Sequence, residues 1–171
     1  MNAGEKREYN GAALNSFILA LGHSEAVTRK LLDDAGVERI DPDRWYDFDW
    51  ARSVYYRIES EVGRATVIEV GRKMIETAEF PPGLDNVEAL LQSLDMAYRL
   101  NARGPDIGEI TCEIEDENYA VLRWTTQFPC ALNLGIMEGA CARFGAKPLI
   151  EHGADGCVDD GATACTYYVS W

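Results

Sequence analysis

The sequence predicts an α+β fold in which an N-terminal helical layer packs on an antiparallel sheet built from a β-β-α-β-β unit. Two observations lead to this prediction. Apolar residues recur at helical spacing over residues 10–103, and over 106–171 they alternate in short segments around one further helical stretch. A block of helices followed by a block of strands is typical of the α+β class. We expect one domain over 1–171, mainly helical over 1–105 and β-β-α-β-β over 106–171.

Four stretches of the first part have apolar residues at i, i+3 and i+4, which predicts helices. They are residues 11–22, 25–36, 50–78 and 87–103. Asn10 and Ser24 stand where a capping side chain would satisfy the first free N–H groups of the first two helices. Gly63 and Gly71 interrupt the third stretch, and each either breaks it into two helices or allows another element to pack closely.

The second part changes to a period of two. Residues 108–116 and 119–128 alternate apolar and polar side chains around a polar turn, which predicts a β-hairpin. Residues 130–145 return to helical spacing. Residues 147–153 and 162–171 are predicted as two more strands, joined by a loop rich in Gly and Asp.

The bulk composition excludes several classes of function. Sixteen Lys and Arg against 29 Asp and Glu give a formal charge of −13, whereas nucleic acids and anionic membrane surfaces bind clustered basic residues. No apolar run approaches the ~18 residues of a membrane span, and the first residues lack the apolar core of a secretory leader. We therefore expect a cytoplasmic protein, whose five cysteines are buried thiols, metal ligands or reactive groups rather than disulfides.

Four side chains near the end of the chain are soft metal ligands. The predicted metal site consists of Cys130, His152, Cys157 and Cys165. Zinc prefers a tetrahedral set of thiolate and imidazole ligands, so three Cys and one His form a chemically sensible site. Gly156 and Gly161 allow the loop between the last two cysteines to fold back. The alternative is that Cys157 and Cys165 are buried apolar side chains, or a pair able to oxidise.

Other polar residues have two interpretations each. Cys130 begins a predicted helix, whose N-terminus should lower the pKa of its thiol. Asp155, Asp159 and Asp160 are either carboxylate ligands or solvated turn residues. His23, the other histidine, stands at a helix junction, where it is either a surface residue or a haem ligand.

Aromatic residues concentrate between the second and third predicted helices. They form either core and dimer contacts or the wall of an apolar ligand pocket. The predicted pocket residues are Trp45, Trp50, Tyr55 and Tyr98. Sequence motifs of common catalytic sites, such as a phosphate-binding loop or a nucleophile elbow, are missing.

Three segments resemble the 4-vinyl reductase domain family, whose members are described as predicted hydrocarbon-binding proteins. They are "YRLNARGPDIGE", "FPCALNLGIMEGACARFGAKPLIEH" and "CVDDGATACTYYVSW". The similarity is strongest over residues 98–171 and extends weakly back to Trp50. The resemblance implies the ligand-binding fold shared with haem nitric-oxide-binding domains and vesicle-transport subunits, which places helices over an antiparallel sheet with a β-β-α-β-β unit.

The resemblance also implies site residues. Cys157 and Cys165 match two cysteines that bind zinc near the ligand pocket in relatives that sense aromatic compounds, and Gly161 matches the glycine between them. Those relatives have a glutamate shortly before the first cysteine. Ala154 stands there in this chain. The nearby acidic candidates are Glu151 and Asp155, and His152 is a further candidate to replace the glutamate. The Tyr-x-Ser-x-Arg haem signature of the related domains is missing and no proximal histidine maps onto this chain, so we expect no haem.

These observations predict a cytoplasmic sensory module that binds a small hydrophobic or aromatic molecule between the helical layer and the sheet, with a structural zinc site. We expect a homodimer, because the aromatic segment would otherwise be exposed. We also expect a separate signalling partner, because the sequence shows no output domain. Two alternatives stay open: an enzyme acting on a tetrapyrrole or another apolar substrate through a reactive Cys130 or Cys157, and a ligand-free assembly module.

Overall fold

The structure is a computed structural model that describes residues 6–22 and 24–171. Its helices are α1 (Gly11–Ala20), α2 (Glu25–Asp33), α3 (Phe48–Glu61), α4 (Arg64–Thr77), α5 (Val87–Gln92), α6 (Leu94–Asn101) and α7 (Cys130–Ala142). Its strands are β1 (Glu8–Asn10), β2 (Trp45–Asp47), β3 (Ala102–Arg103), β4 (Ile110–Asp116), β5 (Tyr119–Trp124), β6 (Leu149–His152) and β7 (Cys165–Ser170). The predicted α+β class is confirmed, and β4–β5–α7–β6–β7 is the predicted β-β-α-β-β unit.

The larger sheet has four antiparallel strands in the order β4-β5-β7-β6. The chain therefore crosses from β5 through α7 to the edge strand β6 and returns in β7, which lies between β5 and β6. Alternation along β5 and β7 turns one side chain in two towards the helices. These inner side chains are all buried: Ala120, Leu122, Trp124, Cys165, Tyr167 and Val169.

A second, three-stranded sheet was missed by the sequence analysis. Its order is β2-β1-β3, and Glu8 of the central strand pairs with Asp47 on one side and Arg103 on the other. Its strands are two or three residues long. Segments this short hold at most one full alternation of side chains, so they leave no periodic signal in the sequence.

Local signals explain the helix boundaries. Asn10 caps α1 as predicted, since its side chain accepts a hydrogen bond from the N–H of Ala12 at 2.7 Å. Ser24 makes no such bond with its side chain. Gly63, with φ of 130°, separates α3 from α4, which confirms the first of the two interpretations of that residue.

Gly71 has the other role that was predicted, because it lies where α4 crosses α7. A Cβ on Gly71 would stand 2.8 Å from Gly135 Cα and closer still to the carbonyl oxygen of Leu132. One turn further along α7, a Cβ on Gly139 would stand 3.0 Å from Arg72 Cα. Because any side chain at these positions would meet backbone, the two helices pack backbone to backbone. Their contact is the most extensive between any two elements of the described structure.

The aromatic segment after α2 is largely internal, which corrects the reason given for a homodimer. Tyr46 and Phe48 are buried, and Tyr55 is fully enclosed. Trp45 and Trp50 are half-buried. A homodimer stays a prediction. The need to bury an exposed aromatic segment no longer supports it, because most of that segment is already inside the protein.

None of the helices in residues 6–22 and 24–171 combines the length and the apolar character needed to cross a bilayer.

The backbone contact of α4 with α7 predicts the effect of adding single methyl groups. Gly71→Ala and Gly135→Ala should each lower the free energy of unfolding by about 1–3 kcal/mol through overpacking, although alanine is the better helix former by ~1 kcal/mol. Urea denaturation followed by circular dichroism measures the change. Ser60→Ala, at an exposed position of α3, is the control and should change it by less than about 0.5 kcal/mol. Glycine variants as stable as the native chain would show that the helices separate at no cost.

Candidate functional site

The four predicted metal ligands meet at one end of the larger sheet. Cys130 is the first residue of α7, His152 the last of β6, Cys165 the first of β7, and Cys157 lies in the loop between these strands. One ligand atom of each residue lies within 4.8 Å of every other. They converge because antiparallel pairing sets the end of β6 beside the start of β7, with His152 opposite Tyr167. Cys130 and Cys165 are buried, and His152 is exposed.

The one sulfur–sulfur distance known in the cluster fits a tetrahedral metal site and also fits two packed thiols. The Sγ atoms of Cys157 and Cys165 are 3.7 Å apart. A zinc–sulfur distance of about 2.3 Å places two sulfurs of a tetrahedron about 3.8 Å apart, whereas a disulfide would bring them to about 2.0 Å. Both residues are free cysteines.

One ring nitrogen of His152 is in contact with the neighbouring backbone. Its Nδ1 lies 2.7 Å from the carbonyl oxygen of Gly153. A carbonyl only accepts hydrogen bonds, so Nδ1 carries the proton and the lone pair of a neutral ring is on Nε2. Histidines that bind metal commonly donate their other N–H to a carbonyl or carboxylate in this way.

The loop between Cys157 and Cys165 folds back as its glycines predicted. Gly156 and Gly161 both have positive φ, at 139° and 87°. A short 3-10 turn over Val158–Asp160 lies between them. The turn directs the N–H of Val158 to Cys165 Sγ at 3.3 Å, and such a bond favours the charged form of the sulfur.

The pKa of the Cys130 thiol is raised, whereas the sequence analysis predicted that it is lowered. Burial raises the pKa of its thiol to about 12, although hydrogen bonds from Tyr167 and Arg64 act in the opposite direction. The Tyr167 hydroxyl donates to Cys130 Sγ at 3.1 Å, and the Arg64 guanidinium lies 3.8 Å from the same atom. The helix N-terminus was expected to lower this pKa, but desolvation is the larger effect when no cation is present.

Asp159 joins the loop to α7 and is not a plain turn residue. Its carboxylate oxygens accept from the N–H of Cys130 at 3.1 and 3.2 Å, where the helix begins. The Tyr56 hydroxyl lies 3.4 Å from the same carboxylate. Burial, together with this negative charge, raises the pKa of Tyr56 to about 12. Asp155 accepts a hydrogen bond from Thr166 at 2.8 Å, and Asp160 is exposed.

An interior cavity of about 50 Å³ lies between the helices and the larger sheet. Its walls come from β1, α1, α4, α6, β4, β5 and α7 and are mainly apolar, with Met74 and Phe128 among them. Of the four predicted pocket residues, Tyr98 lines this cavity, and its hydroxyl donates to the carbonyl of Ile107 at 2.6 Å. Tyr55 packs behind the wall, with its ring centroid 5.6 Å from that of Phe128.

The two predicted tryptophans lie elsewhere. Trp45 and Trp50 border a groove on the outer surface, together with Lys6 and Arg44. The Arg103 guanidinium stacks on the ring of Trp45 at 4.1 Å. They were grouped with the pocket because they are close in sequence to Tyr55, but neither lines the cavity, and Trp50 packs against Tyr46 instead.

The cavity and the cysteine cluster are joined by two hydrogen bonds. Asn133 lines the cavity, and its Nδ2 donates to the Tyr167 hydroxyl at 3.2 Å. Tyr167 in turn donates to Cys130 Sγ at 3.1 Å. Sequence analysis did not single out Asn133, Tyr167 or Arg64, because nothing in a helix or strand pattern marks which inward polar residue will meet a cysteine. His23 lies outside the described residues.

Comparisons of sequence find no matching family model and no matching curated protein. Comparisons of structure match H-NOX proteins over almost the whole chain. An H-NOX protein from S. oneidensis in the Fe(II)NO ligation state has 15% identity and a TM-score of 0.68, with 94% of this chain and 98% of that one covered. A structure from work on haem redox potential and porphyrin distortion has 19% identity, a TM-score of 0.70 and coverages of 95% and 99%. An oxygen-binding H-NOX domain related to soluble guanylate cyclases has 17% identity, a TM-score of 0.64 and coverages of 93% and 89%.

At these identities the likeness shows the fold. It confirms the part of the predicted resemblance that concerns haem nitric-oxide-binding domains, and membership of the 4-vinyl reductase family stays a prediction. The expectation of no haem is contradicted, since the matched structures include one from a study of haem redox potential. That expectation relied on a missing motif and a missing histidine, whereas Tyr, Cys and Met side chains also bind haem iron.

Because Asp159 contacts the start of α7 and Asp160 does not, substitution of Asp159 should lower the stability of the protein more than substitution of Asp160. Asp159→Asn should lower the free energy of unfolding by about 1 kcal/mol, because a charge-assisted bond to an N-terminal N–H is weakened. Asp160→Asn is the matched control and should leave the value unchanged within about 0.5 kcal/mol. Both are measured by thermal and urea unfolding. Equal effects of the two substitutions would show that Asp159 is a solvated turn residue after all.

Proposed function

We propose that this chain is a small-molecule-binding sensory module that holds an apolar ligand in the interior cavity and zinc at Cys130, His152, Cys157 and Cys165. The observation that carries the proposal is the Asn133–Tyr167–Cys130 hydrogen-bond chain, which joins the wall of the cavity to a residue of the cluster. Through it, a change at the cavity reaches the end of the sheet.

The ligand set supports a structural role for the zinc. Three thiolates and one imidazole complete a tetrahedron, and a site without an open position is typical of structural rather than catalytic zinc. The metal would tie α7, β6, the loop and β7 together at one point. His152 is exposed, so a zinc ion can enter from solvent without opening the core.

Metal content tests the zinc site directly. Protein purified without a histidine tag should carry about one zinc per chain by plasma mass spectrometry, since all four ligands are in place. Cys157→Ser and Cys165→Ser should each lose it, and chelator should lower the melting temperature of the native chain but not of these two variants. Cys112→Ser is the matched control, because Cys112 is a half-buried thiol of β4 outside the cluster. Native protein without metal, or zinc retained in both cluster variants, would refute the site.

The size of the cavity defines how a ligand enters. Sites for small ligands usually measure ~300–1,000 Å³, and this cavity measures about 50 Å³. A ligand larger than a few atoms must therefore displace part of the wall. Met74 is the most adaptable side chain there, being unbranched and flexible. Such a displacement shifts the population of two packings of the core, which is how a binding event becomes a signal.

Haem is the second candidate ligand, and the comparisons favour it. The apolar walls suit a porphyrin face, and phenolate and thioether groups are known iron ligands. In the described residues, however, the Tyr98 hydroxyl is held by Ile107 and the Tyr9 hydroxyl lies 3.8 Å from Met74 Sδ. No Lys or Arg of that part of the chain lines the cavity to meet a propionate. Haem would therefore fit only after rearrangement of the interior.

The enzyme alternative depends on a reactive thiol. Cys130 does not supply one, because it is 2% exposed and its pKa is raised to about 12 by burial. Cys157 is half-buried beside Cys165. The homodimer and the signalling partner stay predictions, which sedimentation and pull-down experiments can test.

Fluorinated probes test the apolar site. Fluorobenzene and 1-fluorobutane should bind with broadened or shifted fluorine NMR signals, because the cavity wall is apolar. Ala97→Leu, which fills the cavity from α6, should abolish binding. Met96→Leu, on the exposed face of the same helix, should leave it unchanged. A parallel titration with ferric haem decides between the candidates: a one-to-one complex with a Soret band that shifts in Tyr98→Phe would replace the apolar-ligand proposal.

A further inference from the structure

Arg64 is the one Lys or Arg of the described residues whose side chain lies within hydrogen-bonding distance of a sulfur atom of the cysteine cluster. Its Nη2 is 3.8 Å from Cys130 Sγ. The same guanidinium has two carboxylate neighbours, because its Nη1 lies 3.1 Å from Glu59 Oε1 and 3.9 Å from Asp159 Oδ2. The cluster and the two carboxylates therefore compete for one positive charge.

The position of Arg64 follows from the break between α3 and α4. Gly63 separates the two helices, and Arg64 is the first residue of α4. Glu59 lies in the last turn of α3, so its contact with Arg64 joins the two helices across the glycine. Cys130 is the first residue of α7, which packs closely on α4. One side chain thus reaches back to α3 and across to the cluster.

The charge of the cluster changes when a metal binds. Three thiolates, one neutral imidazole and one zinc ion carry a net charge of about −1. A neutral thiol is a weak acceptor, whereas a thiolate attracts a cation and accepts charge-assisted hydrogen bonds. In the described structure the guanidinium is closer to Glu59 than to Cys130 Sγ. A zinc-bound thiolate at Cys130 shifts this balance towards the sulfur.

The other donors to the cluster sulfurs differ from Arg64 in charge. The Tyr167 hydroxyl donates to Cys130 and the Val158 N–H donates to Cys165, and both of these groups are neutral. Arg64 is therefore the donor whose effect depends on ionic strength. Its side chain is 49% exposed, so solvent weakens the effect without removing it.

We propose that Arg64 raises the affinity of the four-residue site for zinc, and that Glu59 lowers this affinity by competing for the same guanidinium. Arg64 is not a metal ligand and acts through Cys130, whose thiolate it stabilises. The inference rests on the proposed zinc site and adds a means of regulating it. Because coupling between two binding equilibria is reciprocal, zinc binding weakens the contact of Arg64 with Glu59 between α3 and α4.

Zinc dissociation constants, measured by competition with a chromophoric chelator, test the two roles. Arg64→Gln removes the charge and should raise the constant about tenfold, the lower end of the effect of residues that contact a metal ligand. Arg64→Lys keeps the charge and should stay within about threefold of the native value. Glu59→Gln frees the guanidinium for Cys130 and should lower the constant about threefold.

The double variant tests whether Glu59 acts through Arg64. Removing the Glu59 carboxylate by itself takes a negative charge away from the neighbourhood of a cation, which weakens metal binding. In the Arg64→Gln background, Glu59→Gln should therefore no longer lower the dissociation constant. Arg57→Gln is the matched control, because Arg57 pairs with Asp34 and Glu61 rather than with the cluster. It should leave the constant unchanged.

Two further measurements distinguish the charge of Arg64 from its shape. The dissociation constant of Arg64→Gln divided by that of the native chain should fall between about 0.01 and 1 M sodium chloride, because salt screens the charge. Cobalt(II) in place of zinc should show the absorption bands of a tetrahedral site in both proteins. Its sulfur-to-metal charge-transfer band should lie at longer wavelength in Arg64→Gln, because the positive charge no longer stabilises the sulfur electrons.

The inference and the zinc proposal fail in different ways. Equal dissociation constants in the native chain and Arg64→Gln would overturn the role of Arg64. A rise that is independent of salt and equally large in Arg64→Lys would overturn it too, since the side chain would then act by its shape. A Glu59→Gln effect that persists without Arg64 would refute the competition. In these three cases the zinc site stands. If the native chain binds neither zinc nor cobalt, both proposals are wrong.

Discussion

The site depends on how closely α4 approaches α7. Gly71 and Gly135 allow the two backbones to touch, so α7 lies deep in the molecule and almost every residue of it is buried. Its first turns then carry Cys130 to the end of β6 and β7 and place Asn133 at the wall of the cavity. If larger side chains at these glycines held α7 further from α4, Cys130 would no longer lie next to His152, Cys157 and Cys165.

This placement makes α7 the element shared by both candidate sites. Its N-terminal residue belongs to the cluster, and Asn133, one turn later, belongs to the cavity. Tyr167 of β7 hydrogen-bonds to both of these residues. A ligand that moves Asn133 would disturb its hydrogen bond to Tyr167, and Tyr167 itself hydrogen-bonds to Cys130 of the cluster. Two hydrogen bonds therefore connect the two sites. Short, directly packed connections of this kind are where a physical account of coupling is most secure.

The sequence predicted the parts of this arrangement that depend on residue type and periodicity. The change of period gave the β-β-α-β-β order, and the preference of zinc for sulfur and nitrogen grouped Cys130 with residues more than twenty positions later. The parts it did not predict depend on which side chains a fold brings together. Tyr167 alternates inwards like any core residue of a strand, and only the structure shows a cysteine opposite its hydroxyl. Trp45 and Trp50 stand close in sequence to the buried aromatic residues, and only the structure shows that neither lines the cavity.

The polar groups around the cluster are arranged for negatively charged sulfur. The Tyr167 hydroxyl and the Arg64 guanidinium are directed at Cys130 Sγ, and the Val158 N–H is directed at Cys165 Sγ. A neutral thiol is a weak acceptor, so donors gathered on two sulfurs have little effect unless the sulfurs are thiolates. Three thiolates this close repel one another and are costly to bury. A divalent cation leaves the four-ligand set with one net negative charge, and Arg64 stands next to it. The donors therefore have a clear physical role when the metal is bound and a much smaller one without it.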